Sequence, residues 1–153
     1  MARNIIKHKG RRDIGTFLAL PHDVINSENF SCLSGNAVKL LVQIAAQYNG
    51  KNNGDLTLAW SCMKTRGWKS PATLNRARKI LIDYGMIVMT RQGGLGKASL
   101  YAITWQSVNE CQGKHEHPVT QVAPGTWKEP PDPARVTRVS CVSQSSKLPV
   151  ALH

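Results

Sequence analysis

The side chains best suited to chemistry lie between residues 57 and 105, and the chemistry they suit is the binding of anions. In this stretch eight residues are basic and only Asp83 is acidic. Arginine and asparagine can make paired hydrogen bonds to guanine and adenine edges, and arginine and lysine both bind phosphates. The pattern therefore favours contact with nucleic acid. The eight basic residues are Lys64, Arg66, Lys69, Arg76, Arg78, Lys79, Arg91 and Lys97.

A helix over residues 70–84 is predicted to position the centre of this group. Ser70 can cap its N-terminus, Pro71 suits its first turn, and Gly85 suits the left-handed position beyond its end. Four apolar residues at helical spacing are predicted to face the core: Leu74, Ala77, Leu81 and Tyr84.

The opposite side of that helix is predicted to lie in the major groove of double-stranded DNA. Its N-terminus also offers unpaired backbone N–H groups to a phosphate. Asn75 and Arg76 are expected closest to the bases, whereas Arg78 is expected to point sideways. The predicted contacts on and just before the helix are Lys69, Ser70, Ala72, Thr73, Asn75, Arg76 and Lys79.

Two runs rich in β-branched, aromatic and apolar residues follow, at 86–91 and 98–105, and predict a β-hairpin. The turn between them, residues 92–97, contains three glycines, whose lack of side chains allows close approach to another backbone. Arg91 and Lys97 are predicted to contact the DNA backbone. The alternative is a hairpin that packs against a partner subunit.

The elements before residue 57 are predicted to be scaffold. Ser34 caps a helix whose apolar stripe belongs to the core. A short helix is predicted over 21–26, a very short strand over 55–57 and another helix over 58–65, while 27–32 is a polar interval. The stripe of the helix that follows Ser34 is Ala37, Leu41, Ile44, Ala45 and Tyr48.

Length and charge indicate the class of protein. The chain has 153 residues, of which 41% are hydrophobic and 19% charged, and its formal net charge is +11. Such a charge attracts polyanions, either nucleic acid or an anionic membrane. No apolar run approaches the roughly 20 residues of a spanning helix, and no apolar signal core follows the basic N-terminus. A cytoplasmic protein with no membrane partner is predicted.

Neither catalysis nor a bound cofactor is predicted. The chain contains no Gly-x-Ser-x-Gly, phosphate-binding Gly-Lys-Ser/Thr or His-Glu-x-x-His motif. Cys111, His115 and His117 would supply three zinc ligands at most, a thiol and two imidazoles without a fourth, so no metal site is predicted. The absence of Cys-x-x-Cys pairs favours reduced thiols. The four cysteines are Cys32, Cys62, Cys111 and Cys141.

Three segments are predicted along the chain: a basic arm over residues 1–15, one domain over 16–106, and an extended, partly disordered tail over 107–153. Six of the eight prolines lie at or after Pro118, and the tail lacks helical or strand periodicity. Residues 119–127 are expected to fold back, because Trp127 would otherwise be an exposed aromatic ring. The arm is either a phosphate tether or a solvated segment.

Residues 67–81 (GWKSPATLNRARKIL) and 84–87 (YGMI) resemble the winged helix-turn-helix signature. That signature has a glycine turn, a capped recognition helix and a Gly-apolar-Ile entry to a hairpin called the wing. Residues 33–37 (LSGNA) and the hairpin are similar to small winged-helix proteins of phages and other mobile elements, including the DNA-binding part of phage replication initiators. The resemblance implies an α+β fold over 16–106, a small domain of three to four helices plus a wing, followed by the Pro-rich tail.

Three roles remain open for a non-catalytic protein of this kind. A transcription regulator would form a homodimer and read a palindrome. A replication factor would bind repeated origin sites and use its C-terminal tail to recruit a helicase or helicase loader. An interaction protein would instead use the basic face to bind a host protein or ribonucleoprotein complex.

Overall fold

The computed structural model describes residues 16–131. Within that range the chain forms an α+β arrangement of five short α-helices and a three-stranded antiparallel sheet. In chain order the elements are α1 (His22–Ile25), α2 (Glu28–Ser31), α3 (Gly35–Ala45), β1 (Leu56–Thr57), α4 (Trp60–Thr65), α5 (Pro71–Asp83), β2 (Ile87–Arg91) and β3 (Leu100–Ile103), followed by 3₁₀ turns at Cys111–Gly113 and Thr126–Lys128. The predicted basic arm and residues 132–153 of the tail lie outside the described residues.

Serine caps set the beginning of the two longest helices. Ser34 Oγ accepts an N–H of the first turn of α3 at 3.3 Å, and Ser70 Oγ accepts the N–H of Thr73 at 3.4 Å. Pro71 occupies the first turn of α5, and Gly85 lies just beyond its end with a φ of +67°. These caps confirm the predicted limits of α5.

Two helices differ from the prediction. α2 forms in the expected polar interval, because Ser27 Oγ accepts the N–H of Phe30 at 3.2 Å and caps a single turn. α4 begins at Trp60 rather than at residue 58, since Thr57 pairs in β1 and its hydroxyl accepts the N–H of Ala59 at 3.2 Å. Residues 16–131 therefore contain five α-helices where three to four are expected.

The core lies between α3, α5 and the sheet. On α5 the buried residues are Leu74, Ala77 and Leu81, and Tyr84 just past its end is also buried, which confirms the predicted stripe. On α3, Leu40 is fully buried in addition to the predicted residues, whereas Tyr48 lies past the helix end and is half-buried. One side of α5 is thus held by apolar packing, and the other faces solvent.

β3 is the central strand of the sheet. It pairs with β1 on one side and with β2 on the other, both antiparallel, and all four of its residues are buried. A β-bulge interrupts the register of β2 between Met89 and Arg91. The predicted hairpin and the very short strand predicted over 55–57, observed as Leu56–Thr57, therefore belong to one sheet.

Packing continues past residue 106, where the sequence predicts the domain to end. The N–H of Gly125 donates to the Thr104 carbonyl at 2.8 Å, and Trp127 packs against the core. Asn29 Nδ2 donates to the Glu129 carbonyl at 2.7 Å. These contacts use backbone carbonyls and one aromatic ring, so the segment after the sheet packs without a periodic pattern of apolar residues. Its packed part reaches at least Glu129.

The state of the cysteines also differs from the prediction. Cys32 is disulfide-bonded, whereas Cys62 and Cys111 are free thiols. The expectation of four reduced thiols is therefore wrong for Cys32, because spacing along a chain does not report which thiols a fold brings together.

The helices of residues 16–131 are too short or too polar for any of them to cross a bilayer.

Candidate nucleic-acid interface

Four residues of α5 form an exposed stripe on the side away from the core. They are Ala72, Asn75, Arg76 and Lys79, and we call them the α5 outer stripe. Successive helical residues are about 100° apart, so these four fall within an arc of about 100°. Within residues 16–131 neither Arg76 nor Lys79 forms an ion pair. The stripe is therefore one continuous surface with accessible positive charge.

Three predicted contacts at the start of α5 have different surroundings. Lys69 is exposed in the turn before the helix. Ser70 is half-buried, and its hydroxyl accepts the capping hydrogen bond. Thr73 is half-buried at the margin between the stripe and the core. Of these three residues, Lys69 alone adds an accessible charge.

α3 holds the turn that precedes α5. Gln43 Nε2 donates to the Arg66 carbonyl at 3.1 Å, and Gln43 Oε1 accepts the indole N–H of Trp68 at 2.6 Å. The Arg66 guanidinium donates in return to the Gln43 carbonyl at 2.9 Å. The start of α5 is therefore positioned by one glutamine as well as by apolar packing.

Lys39 also lies at this turn, although the sequence pattern predicts only a scaffold role for α3. Its Nζ lies 5.2 Å from the centroid of the Trp68 ring and donates to the Gly67 carbonyl at 3.4 Å. The side chain is otherwise exposed, so its charge adds to that of Lys69. The signal in the sequence was the four-residue spacing of Lys39 and Gln43, which places both on one side of a helix.

The tip of the β2–β3 hairpin is a tight turn. Gly94 and Lys97 exchange two backbone hydrogen bonds of 3.0 and 3.1 Å, and Gly96 has a φ of +71°. The side chains of Leu95 and Lys97 are both exposed. Lys97 therefore has the accessibility that its predicted phosphate contact requires.

Arg91 is in a different situation from Lys97. Its guanidinium donates to the Ala98 carbonyl at 2.9 Å and to the Lys114 carbonyl at 3.0 Å. The side chain is half-buried, and it connects β2 with the hairpin loop and with the segment after the sheet. Two of its donor nitrogens thus serve the fold, which leaves Arg91 with fewer groups for a phosphate.

Acidic residues lie near the far end of α5. Asn29 Nδ2 donates to the Tyr84 carbonyl at 3.1 Å, which places α2 beside the C-terminal end of α5. Asp23 on α1 and Glu28 on α2 are exposed, and Glu129 is bonded through its carbonyl to the same asparagine. In the described residues, positive charge therefore surrounds the start of α5 and negative charge lies near its end.

The residues considered for metal binding do not form a site. Residues 16–131 contain no group of three or more His, Cys, Asp or Glu side chains able to hold a metal ion. His115 Nε2 instead lies 2.8 Å from the Asn109 carbonyl. Burial, and then the negative charge of Asp55, raises the pKa of the Cys111 thiol. Such a thiol carries little thiolate near neutral pH, the form that attacks substrates or ligates metals.

No protein-family model, curated protein or solved structure matches this chain. Its function is therefore inferred from the α5 outer stripe, the turn before α5 and the hairpin tip.

Proposed function

We propose that this protein is a non-catalytic winged helix-turn-helix DNA-binding protein that acts in the replication or transcription control of a phage or mobile element. In this proposal α5 is the recognition helix and lies in the major groove of double-stranded DNA. The β2–β3 hairpin is the wing and lies on the adjacent backbone. The protein works in the cytoplasm without a metal or cofactor.

The order of elements supports this proposal. α3, β1, α4, α5 and the hairpin follow one another as helix, strand, helix, helix and wing, and β1 pairs with β3 at the edge away from β2. A short turn with a glycine typically joins the two helices of a helix-turn-helix. Here residues 66–70 join α4 to α5, and Gly67 has a φ of +88°.

The observation that carries the proposal is the accessible charge of the α5 outer stripe. The neighbours of Arg76 at four residues' distance, Ala72 and Ile80, are not acids, so Arg76 has no partner on its own helix. Asn75 stands beside it, and the two residue types make paired hydrogen bonds to adenine and guanine. A helix that serves only as scaffold gains nothing from this arrangement.

Selection of bound fragments from random and source-genome DNA, at moderate salt, tests the proposal. Enrichment of one motif is expected, and the symmetry of that motif reports whether a homodimer binds. No enrichment, together with capture of a host protein or ribonucleoprotein, contradicts the proposal and supports the interaction-protein role.

The salt dependence of the DNA affinity tests the proposed contacts between basic side chains and phosphates. If about six basic side chains neutralise phosphates, the log–log slope of the binding constant against salt is about −5. Replacing Lys69, Lys79 and Lys97 by alanine is expected to reduce the size of that slope by about 3. The control replaces exposed Lys51 and Lys128, which lie outside the interface, and leaves the slope unchanged. A slope near zero for the unmodified protein contradicts the proposal.

Replication and transcription roles differ in where the protein binds. Protection of a site beside its own gene supports a regulator, and protection of a repeat cluster elsewhere supports a replication factor. In the second case we propose that the C-terminal tail recruits a replication protein. A variant truncated after residue 131 tests this, since it is expected to keep DNA binding and to lose recruitment of the replication protein.

A further inference from the structure

The tip of the wing presents a single apolar side chain to solvent. Leu95 is 105% exposed, the highest value among the large hydrophobic residues of 16–131. It occupies the first central position of the turn, where proline or a polar residue is usual. Leucine at this position contributes neither to the core nor to the turn, so its presence calls for another explanation.

The turn holds Leu95 in a defined place. Besides the two hydrogen bonds between Gly94 and Lys97, the N–H of Gly93 donates to Ser99 Oγ at 2.9 Å. A Cβ on Gly93 would lie 2.6 Å from the Ser99 nitrogen, so a glycine is needed where the two arms of the hairpin approach. Since glycines flank Leu95 on both sides, the tip is narrow and carries one apolar and one cationic side chain.

The two exposed side chains at this tip match the chemistry of the minor groove of DNA. That groove is about 6 Å wide with phosphates along both edges, which is too narrow for a two-stranded hairpin but open to a single side chain at its apex. Lys97 supplies the charge that a phosphate at the groove edge requires. Leucine is among the residues that DNA-bending proteins insert between base pairs from this groove.

We propose that Leu95 enters the minor groove as a wedge, partly unstacks one base step and bends the duplex. This inference rests on the proposed function: α5 determines the position on the DNA, and the wedge adds a deformation. Because pyrimidine–purine steps unstack most easily, the wedge would favour sites with such a step under the wing.

The test uses the full chain and a duplex of about 30 base pairs taken from the selected fragments, with fluorophores at its ends. Energy transfer between the ends reports bending, and 2-aminopurine at a TA step reports unstacking. The variant is Leu95→Ala, which removes a side chain without contacts in the fold. Leu95→Met is the conservative variant, and Val122→Ala is the control, since Val122 is an exposed hydrophobic residue (77%) outside the wing.

Bending and unstacking are expected with the unmodified protein, Leu95→Met and Val122→Ala, and both are expected to be lost with Leu95→Ala. The affinity of Leu95→Ala should fall about tenfold. Equal bending by the unmodified protein and Leu95→Ala would contradict the wedge but not the proposed function. Binding by the unmodified protein without any bending would have the same meaning. A loss of self-association in Leu95→Ala with unchanged bending overturns it in favour of a protein contact. Failure of the unmodified chain to bind any duplex would contradict both the proposed DNA binding and the wedge.

Discussion

Arg76 and Arg91 carry the same charge in different surroundings. Arg76 lies on the exposed side of α5 without an ion-pair partner in residues 16–131, whereas the Arg91 guanidinium is bonded to two backbone carbonyls. Those two bonds leave Arg91 with unused N–H donors, but they fix the position of its guanidinium, so it can meet a phosphate only where the fold holds it. At the scale of single residues, Arg76 is therefore the better candidate for base contact, and Lys97 is the better candidate for a phosphate contact in the proposed wing.

Replacement of Arg76 and Lys97 by alanine should have different effects on specificity. Arg76→Ala is expected to cost about 1–3 kcal/mol of binding free energy and to relax sequence preference, because a base-edge contact is lost. Lys97→Ala should weaken binding to all duplexes alike, because a phosphate contact carries no sequence information. Competition binding with selected and random duplexes measures both. Undiminished binding by the double variant would show that the interface lies on another face.

At the scale of elements, α3 positions two different parts of the domain through two glutamines one turn apart. Gln43 holds the turn before α5, as described above. Gln47 Nε2 donates to the Thr57 carbonyl at 2.9 Å, and Gln47 Oε1 accepts the N–H of Thr57 at 3.1 Å. One side of α3 therefore orients the proposed recognition helix with the first glutamine and β1 with the second.

Gln43→Leu should reduce DNA affinity more than its effect on stability explains. The substitution leaves the Trp68 indole N–H without its acceptor, which costs about 1–3 kcal/mol of unfolding free energy, and it releases the turn that positions α5. Urea unfolding measures stability, and fluorescence anisotropy with a selected duplex measures affinity.

Gln47→Leu is the matched control, because it removes two side-chain hydrogen bonds of the same helix that connect to β1 and not to the turn before α5. It should lower stability by a similar amount and leave affinity unchanged under conditions in which the protein is folded. Equal loss of affinity in both variants would mean that Gln43 acts through stability alone.

At the scale of the whole molecule, a buried amide connects three distant segments. Asn53 is 0% exposed. Its Nδ2 donates to the carbonyls of Ile103, Gln106 and Ser107 at 2.9 to 3.1 Å, and its Oδ1 accepts the N–H of Ile103 at 2.8 Å. Asn109 adds hydrogen bonds to the Asn53 backbone. The loop before β1, the end of β3 and the segment after the sheet are thus joined at one side chain.

Asn53→Ala is expected to lower the free energy of unfolding by about 3 kcal/mol or more, because buried backbone groups lose their partners. Urea unfolding measures the loss. The matched control is Asn49→Ala: Asn49 is exposed, and its side chain accepts one N–H, that of Lys51. The control should cost less than about 1 kcal/mol. Similar small losses in both variants would show that water replaces the buried amide.

The sequence by itself determined the parts of this protein that depend on neighbours along the chain. The caps at Ser34 and Ser70, the turn at Gly85 and the apolar periodicity of α5 are local, since each involves residues within about one helical turn. They predict the limits of α5, its buried side and the accessible charge opposite, and these agree with the structure. The winged-helix assignment and DNA binding stay predictions.

The tertiary structure decided the contacts that connect distant residues. Asn53 and Ile103 are 50 positions apart, and the sequence shows only a polar loop at the first of them. Lys39 reaches the turn at Gly67, 28 positions away, and Arg91 bonds to Lys114, 23 positions away. Such contacts depend on how α3, α5 and β3 pack, and packing follows from the joint fit of many side chains rather than from any local pattern.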